Sequence, residues 1–156
     1  MVIKIKIAEL VEKIRDSYLA EASSIPEGAS AGRTAGDVTE GEFERALINA
    51  RVKLEESIFR FLHHDFRFNS GDVTPGGLSG VDYFSFDFCG TPRRLAGKQS
   101  IIANQSSNIL IQLALAELFT PLNEEIGAKH NAIASDGISI LQRLLYSKHK
   151  PIRHSV

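Results

Sequence analysis

The sequence predicts a mainly α-helical domain, a bundle of three to four helices with an extended or β-hairpin insertion between the second and third helices. Two helical patterns lead to this prediction, one ending near Phe66 and the next beginning near Ser100. About thirty residues rich in glycine and phenylalanine separate them, and a connection of that length inside a compact domain is uncommon and usually functional or disordered. With 156 residues and 43% hydrophobic content, the chain fits one domain, residues 1–156, with a substantial core.

Composition excludes several classes of protein. The formal net charge of −1 provides no global basic field for holding nucleic acid. A single cysteine, Cys89, excludes an internal disulfide framework. The first residues alternate lysine with isoleucine, unlike a secretory leader, and the longest apolar stretch, 109–116, is too short to span a bilayer. We therefore expect a cytosolic protein without a membrane partner.

The first elements follow from a change in hydrophobic period. Residues 3–7 alternate isoleucine and lysine, which predicts a short half-buried strand. The spacing then becomes three and four residues, as on one face of an amphipathic helix. The predicted buried face consists of Ile7, Leu10, Val11, Ile14 and Tyr18. Residues 23–38, composed mainly of small residues, are expected to form a flexible connection.

The second helix has a strong start signal. Thr39 and Glu42 have the spacing of a capping box, and Val38 and Phe43 occupy the positions of a hydrophobic staple. From Phe43 to Phe66 apolar residues recur at helical spacing, which predicts a helix over about residues 40–65.

The second half of the chain predicts a central helix and a shorter closing one. Residues 101–118 are apolar on most faces, which is typical of a helix covered on several sides. Thr120 and Pro121 then predict a restart as a short helix over about residues 121–126, with Gly127 as its terminator. A last helix is expected from Ser135 and Asp136 to the residues before Pro151, leaving 149–156 as a basic tail.

Candidate catalytic and metal-binding residues are few. Adjacent His63 and His64 on a helix point about 100° apart and are a poor pair of ligands for one metal ion, and Asp65 does not repair this. Cys89 has no neighbouring base in the sequence to activate it. The glycines of the insertion match no phosphate-binding fingerprint. We therefore expect no catalytic residue, metal or cofactor.

The insertion, residues 67–98, carries the most specific pattern. Phe84, Phe86 and Phe88 alternate and leave one face of an extended segment. These rings can cover this chain's own helices or pack on a neighbouring subunit, and our hypothesis is the subunit contact. Basic residues near the insertion and in the tail are expected to contact partners or phosphates. They are Arg93, Arg94, Lys148, Lys150 and Arg153.

The order of elements resembles the head–tail connector (adaptor) proteins of tailed bacteriophages and prophages. The resemblance is carried by the isoleucine-rich start leading into a helix at Ala8–Val11, by the long helix Phe43–Ile58 followed by an insertion, and by the apolar helix with a closing helix and basic segment, Leu141–Lys148. It implies a non-enzymatic structural protein that forms a homo-oligomeric ring between portal and tail. DNA would pass through the pore, where non-specific contact is expected, and the protein would reside in the virion, or in the host cytoplasm during assembly. The alternative is a small cytosolic helical adaptor or regulatory oligomer unrelated to phage.

Overall fold

The computed structural model describes residues 1–25, 38–63, 78, 80–89, 95 and 97–146. Within these ranges the chain is mainly helical, with a small antiparallel sheet, and the predicted fold class is confirmed. The elements in chain order are β1 (Val2–Lys6), α1 (Ile7–Ala22), α2 (Glu40–Ile58), a 3₁₀ turn (Phe59–Phe61), β2 (Tyr83–Asp87), α3 (Gln99–Phe119) and α4 (Glu124–Leu145).

Helix α2 begins as predicted and ends earlier than predicted. The Glu42 carboxylate accepts a hydrogen bond from the Thr39 N–H at 2.9 Å, one half of the capping box. The helix ends at Ile58, whereas the sequence predicted about residue 65. The reason is tertiary: Leu62 has extended backbone angles and forms a β-bridge with Phe88, so the chain leaves the helix to join the sheet.

Helix α3 is the central element, as its all-round apolar sequence predicted. It packs against α1, α2, α4 and β1. The aromatic residue at its end, Phe119, has its ring 5.0 Å from the ring of Tyr18 on α1. Phe43 on α2 meets the same tyrosine edge-on at 5.5 Å. One hydrophobic core therefore joins the first three helices.

Helix α4 corrects the sequence prediction for the closing elements. The short helix over residues 121–126, its termination at Gly127 and a new start near Ser135 are wrong, because one helix runs from Glu124 to Leu145. Its cap is Asn123, whose side-chain oxygen accepts hydrogen bonds from the N–H groups of residues 125 and 126.

Two glycines let α4 pack closely against its neighbours, and one of them is Gly127, the expected terminator. A Cβ on Gly127 would lie 2.5 Å from Thr120 Oγ1 and 3.0 Å from the Thr120 Cα. A Cβ on Gly137 would lie 2.9 Å from Cγ1 of Ile109. Both glycines therefore allow α4 to approach α3 and the turn after it closely, a role that the sequence alone does not distinguish from helix termination.

The sheet joins the N-terminus to the insertion. Strands β1 and β2 pair antiparallel, with Ile3 opposite Phe86 and Ile5 opposite Phe84. Of the two alternatives predicted for the insertion, its described part therefore takes the extended form, and its partner strand lies some eighty residues away. All four of these side chains are buried against the helices.

The burial of the aromatic strand corrects the hypothesis of a subunit contact. Phe84, Phe86 and Phe88 are 0%, 1% and 0% exposed in the single chain. The physical reason is the period of two: the face that carries the rings is the same face that β1 fills with isoleucine, and together they cover the helical core. The three phenylalanines are core residues of this chain and are not available to a neighbour.

Several sequence-based expectations lie outside the described residues. They concern most of the flexible connection, residues 26–37, and the basic tail, residues 149–156. They also concern parts of the insertion and the five basic contact residues, Arg93, Arg94, Lys148, Lys150 and Arg153.

Candidate interaction surface

The sheet has one face toward the helices and one toward solvent. Val2 and Tyr83 on the outer face are 46% and 48% exposed. Lys4 and Lys6 lie on the same face of β1 and are also exposed. The isoleucine–lysine alternation therefore correctly predicts which residues of β1 are buried and which are exposed.

Backbone hydrogen bonds identify which groups of β1 already have partners. The Phe88 N–H donates to the Met1 carbonyl at 2.8 Å, and the Ile7 N–H donates to the Asp82 carbonyl at 3.0 Å. Because residues of an antiparallel pair alternate in direction, the odd-numbered residues from 1 to 7 face β2. The even-numbered residues turn their N–H and C=O groups away from β2. Lys6 is the N-cap of α1, so its C=O accepts the first hydrogen bond of that helix, whereas the N–H groups of Val2, Lys4 and Lys6 and the C=O groups of Val2 and Lys4 have no backbone partner within the described part of the chain. We call this row of residues the β1 edge: Val2, Lys4 and Lys6.

The outer edge of β2 is covered at one end. The His63 N–H donates to the Asp87 carbonyl at 2.9 Å, and the Cys89 N–H donates to the Phe61 carbonyl at 2.7 Å. The chain after α2 therefore occupies the end of β2, which leaves the β1 edge as the longer open side of the sheet in the described ranges.

An open groove of about 430 Å³ lies between β1 and the start of α3. It is lined by Ile3, Lys4, Gly97, Gln99, Ser100 and Ala103. Small and polar side chains form the α3 wall, and Gly97 adopts φ +82°, a backbone conformation that favours glycine. The groove gives the β1 edge free space on the side where a further strand would lie.

The surroundings of the β1 edge are positively charged. Lys4 and Lys6 project from the strand, and Lys98 precedes α3, whose first turn contains no acidic residue. The N-terminus of a helix adds partial positive charge from its unpaired N–H groups. Glu9 offsets part of this charge, because its carboxylate lies 3.9 Å from the Lys6 ammonium.

A largely buried ion pair on α2 contacts the inner face of the sheet. Arg51 on α2 is 3% exposed, and its Nε donates to the Glu55 carboxylate at 2.9 Å. The guanidinium also lies 4.9 Å from the ring centroid of Phe84. Burial raises the pKa of the Glu55 carboxyl above its ordinary value, and the neighbouring Arg51 guanidinium opposes part of the rise. The Arg51 side chain therefore links α2 to the inner face of β2.

A second polar cluster joins three helices. His130 on α4 is buried, and its ring nitrogens lie 2.6 Å from Gln112 Oε1 on α3 and 2.5 Å from Glu21 Oε2 on α1. Both ring nitrogens therefore face oxygen atoms, an amide oxygen on one side and a carboxylate oxygen on the other. The ring stacks on Phe119 at 5.7 Å. This cluster was not predicted from the sequence. The signal that could have identified it is the four-residue spacing of His130 from Ile126 and Ala134, which places His130 on the inner face of a continuous helix.

Exposed apolar side chains lie on several helices. Ile133 and Ile140 are seven residues apart on α4 and are 44% and 47% exposed, so they share one outward face. The remaining exposed large apolar side chains on helices and their ends, within the described ranges, are Leu19, Phe59, Ile101 and Tyr146.

Two of the candidate catalytic residues, His63 and Cys89, lie on neighbouring chain segments that pair through Leu62 and Phe88. His63 and Cys89 are exposed, and His64 lies outside the described residues. Among the residues that the structure describes, no group of three histidine, cysteine or acidic side chains is arranged to hold a metal ion. In the same ranges, none of the helices has both the length and the apolar character needed to cross a membrane.

Comparison with protein-family models, with curated proteins and with solved structures finds no match for this chain.

Proposed function

We propose that this chain is a non-enzymatic structural protein, a phage or prophage head–tail connector that forms a homo-oligomeric ring between portal and tail. The proposal is supported by the order of elements on which the resemblance depends. A short strand leads into α1, a long α2 precedes the insertion, and an apolar α3 is followed by a closing helix.

The observation that carries the proposal is the presence of exposed apolar residues on two separate elements. Ile133 and Ile140 form one set on α4, and Val2 and Tyr83, at opposite ends of the outer face of the sheet, form another. A ring of identical copies needs a heterologous interface, in which one patch of each copy meets a different patch of the next. Two distinct sets on one chain satisfy this requirement, whereas a two-fold dimer needs only one self-complementary patch.

The test is assembly with a portal protein. The purified chain is studied by light scattering over a wide concentration range, alone and mixed with portal proteins of tailed phages, and the mixtures are imaged by electron microscopy. We expect a monomer that forms rings only with the portal. A double variant, Ile133→Glu with Ile140→Glu, should abolish the rings while keeping the helical circular dichroism spectrum.

Ser135→Glu is the matched control, because it adds a negative charge to an exposed position on a different face of the same helix. It should assemble normally. A stable dimer at all concentrations, with no response to the portal, would contradict the connector and favour the small helical regulatory oligomer. A further alternative is an enzyme that uses His63, His64 or Cys89, and unchanged function after replacing all three residues would remove it.

The basic residues outside the described ranges remain part of this proposal. Arg93 and Arg94 in the insertion, together with Lys148, Lys150 and Arg153 in the tail, are proposed to contact neighbours or DNA phosphates in the pore. Neutralising these residues should weaken the salt-sensitive part of the assembly and leave the fold unchanged.

A further inference from the structure

We infer that the β1 edge is a docking site for an extended acidic segment of a partner protein, which adds as a third strand beside β1. This inference does not rest on the connector proposal, because it concerns the sheet of a single chain. It identifies an interaction surface and the chemistry of the segment that fits it.

The outer side of β1 carries backbone groups without a strand partner. Val2, Lys4 and Lys6 direct their N–H groups away from β2, and these three N–H groups and the C=O groups of Val2 and Lys4 have no backbone partner in the described structure. At about 3.4 Å per residue, the row spans roughly 14 Å, enough for a short added strand. An open strand edge of this kind is a ready template for pairing with another chain.

A groove beside β1 has room for a further strand. The groove of about 430 Å³ runs between β1 and the first turn of α3, with Lys4 on one wall and Gly97 and Ser100 on the other. Exposed glycine and serine positions allow a second backbone to approach closely. An incoming strand can therefore lie beside β1 without displacing a core residue.

The charge around the β1 edge indicates the chemistry of the segment that binds there. Lys4 and Lys6 project beside the edge, and the start of α3 adds Lys98 and helix-dipole charge without an acidic residue in the first turn. Glu9 offsets part of the Lys6 charge, with its carboxylate 3.9 Å from the ammonium. Asp87, opposite Val2, pairs with the N-terminal ammonium at 3.2 Å. Glutamate or aspartate side chains on the added strand would lie opposite the two strand lysines, a favourable cross-strand pairing.

The same charges disfavour a second copy of this chain as the occupant. Antiparallel pairing of two β1 edges about a two-fold axis, in the register that pairs the whole row Val2–Lys6, would place Lys4 directly opposite Lys4 of the other copy. Like charges directly opposite one another destabilise a strand pair, and edge lysines are a known means of preventing self-association. The charges of the β1 edge therefore disfavour pairing with a second copy of this chain and favour pairing with an acidic strand.

The probe is a capped seven-residue peptide of alternating glutamate and valine, carrying a fluorophore, titrated with the full chain at low salt. Two twin peptides serve as controls: one with lysine in place of glutamate, and one with N-methylated backbone amides. Fluorescence polarisation reports the dissociation constant. We expect the acidic peptide to bind with a dissociation constant below about 1 mM, and both twins to bind at least about tenfold more weakly.

Two variants separate backbone pairing from charge. Lys4→Pro removes an outward N–H that β2 does not use, so it spares the existing ladder while blocking the edge. Lys4→Glu keeps the N–H and reverses the charge. Each variant should weaken binding at least about tenfold. If Lys4→Pro fails to fold, as judged by circular dichroism, the N-methylated twin still tests the strand pairing.

Equal binding of the N-methylated twin, or undiminished binding by a folded Lys4→Pro variant, would overturn strand addition. Absence of binding by the acidic peptide, or dimerisation of the chain that Lys4→Pro abolishes, would overturn the acidic occupant. Because every measurement uses the isolated chain without a portal, failure here is distinguishable from failure of the connector proposal.

Discussion

Replacing Phe86 with alanine tests whether the aromatic strand is part of the core of a single chain. The ring is 1% exposed, stacks on Phe88 with centroids 6.3 Å apart, and lies opposite buried Ile3. Burying a phenylalanine side chain contributes about 1.5–3 kcal/mol. The cavity left by truncation adds to this, so phenylalanine-to-alanine changes in cores cost about 3–5 kcal/mol in the free energy of unfolding.

The assay is urea unfolding followed by far-ultraviolet circular dichroism. With a slope of about 2 kcal/mol per molar urea, the midpoint should fall by roughly 1.5–2.5 M. Tyr83→Ala is the matched control on the same strand, because its side chain is 48% exposed, and it should cost about 1 kcal/mol or less. A midpoint for Phe86→Ala no lower than that of Tyr83→Ala would refute the reasoning.

Two further predictions concern a close helix contact and a buried carboxyl. Gly127→Ala should destabilise the fold by about 1–3 kcal/mol, because its Cβ would lie 3.0 Å from the Thr120 backbone. Gly41→Ala should be neutral or stabilising in the same urea assay, because its Cβ would meet only Thr39 Oγ1, at 3.9 Å. The raised pKa of Glu55 means that the folded state binds a proton more readily than the unfolded state. The stabilisation that comes from protonation of Glu55 in the folded state is therefore fully present below pH 4.5, the ordinary pKa. It is lost as the pH rises through the raised pKa of the folded state. Glu55→Gln should remove this pH dependence, and an unchanged slope of stability against pH above 4.5 would contradict the assignment.

Local signals in the sequence predicted the helical part of the fold well. The capping box at Thr39 and Glu42 is a contact between residues three apart, so it is visible in the sequence and present in the structure. The apolar stripes of α1 and α2 likewise report a buried face without reference to what covers it. Gly127 shows the limit of local signals, because a glycine that ends a helix and one that admits a close neighbour look the same in a sequence.

The sheet could be predicted only in part. Alternation correctly placed Phe84, Phe86 and Phe88 on one face, but it carries no information about which surface covers that face. The answer depends on pairing with Ile3 and Ile5, some eighty residues away in the chain. The β1 edge was missed for the same reason, since an open edge is defined only once the partner of the other edge is known.

Amide hydrogen exchange of the isolated chain, resolved by residue with NMR, tests the central claim most directly. The claim is that β2 is built into the core through β1, and that the opposite side of β1 is open. We expect slow exchange at the N–H groups of Ile3, Ile5, Phe84 and Phe86, and fast exchange at Lys4. Fast exchange at Phe84 and Phe86, or equally slow exchange at Lys4 and its two neighbours in β1, would contradict the account.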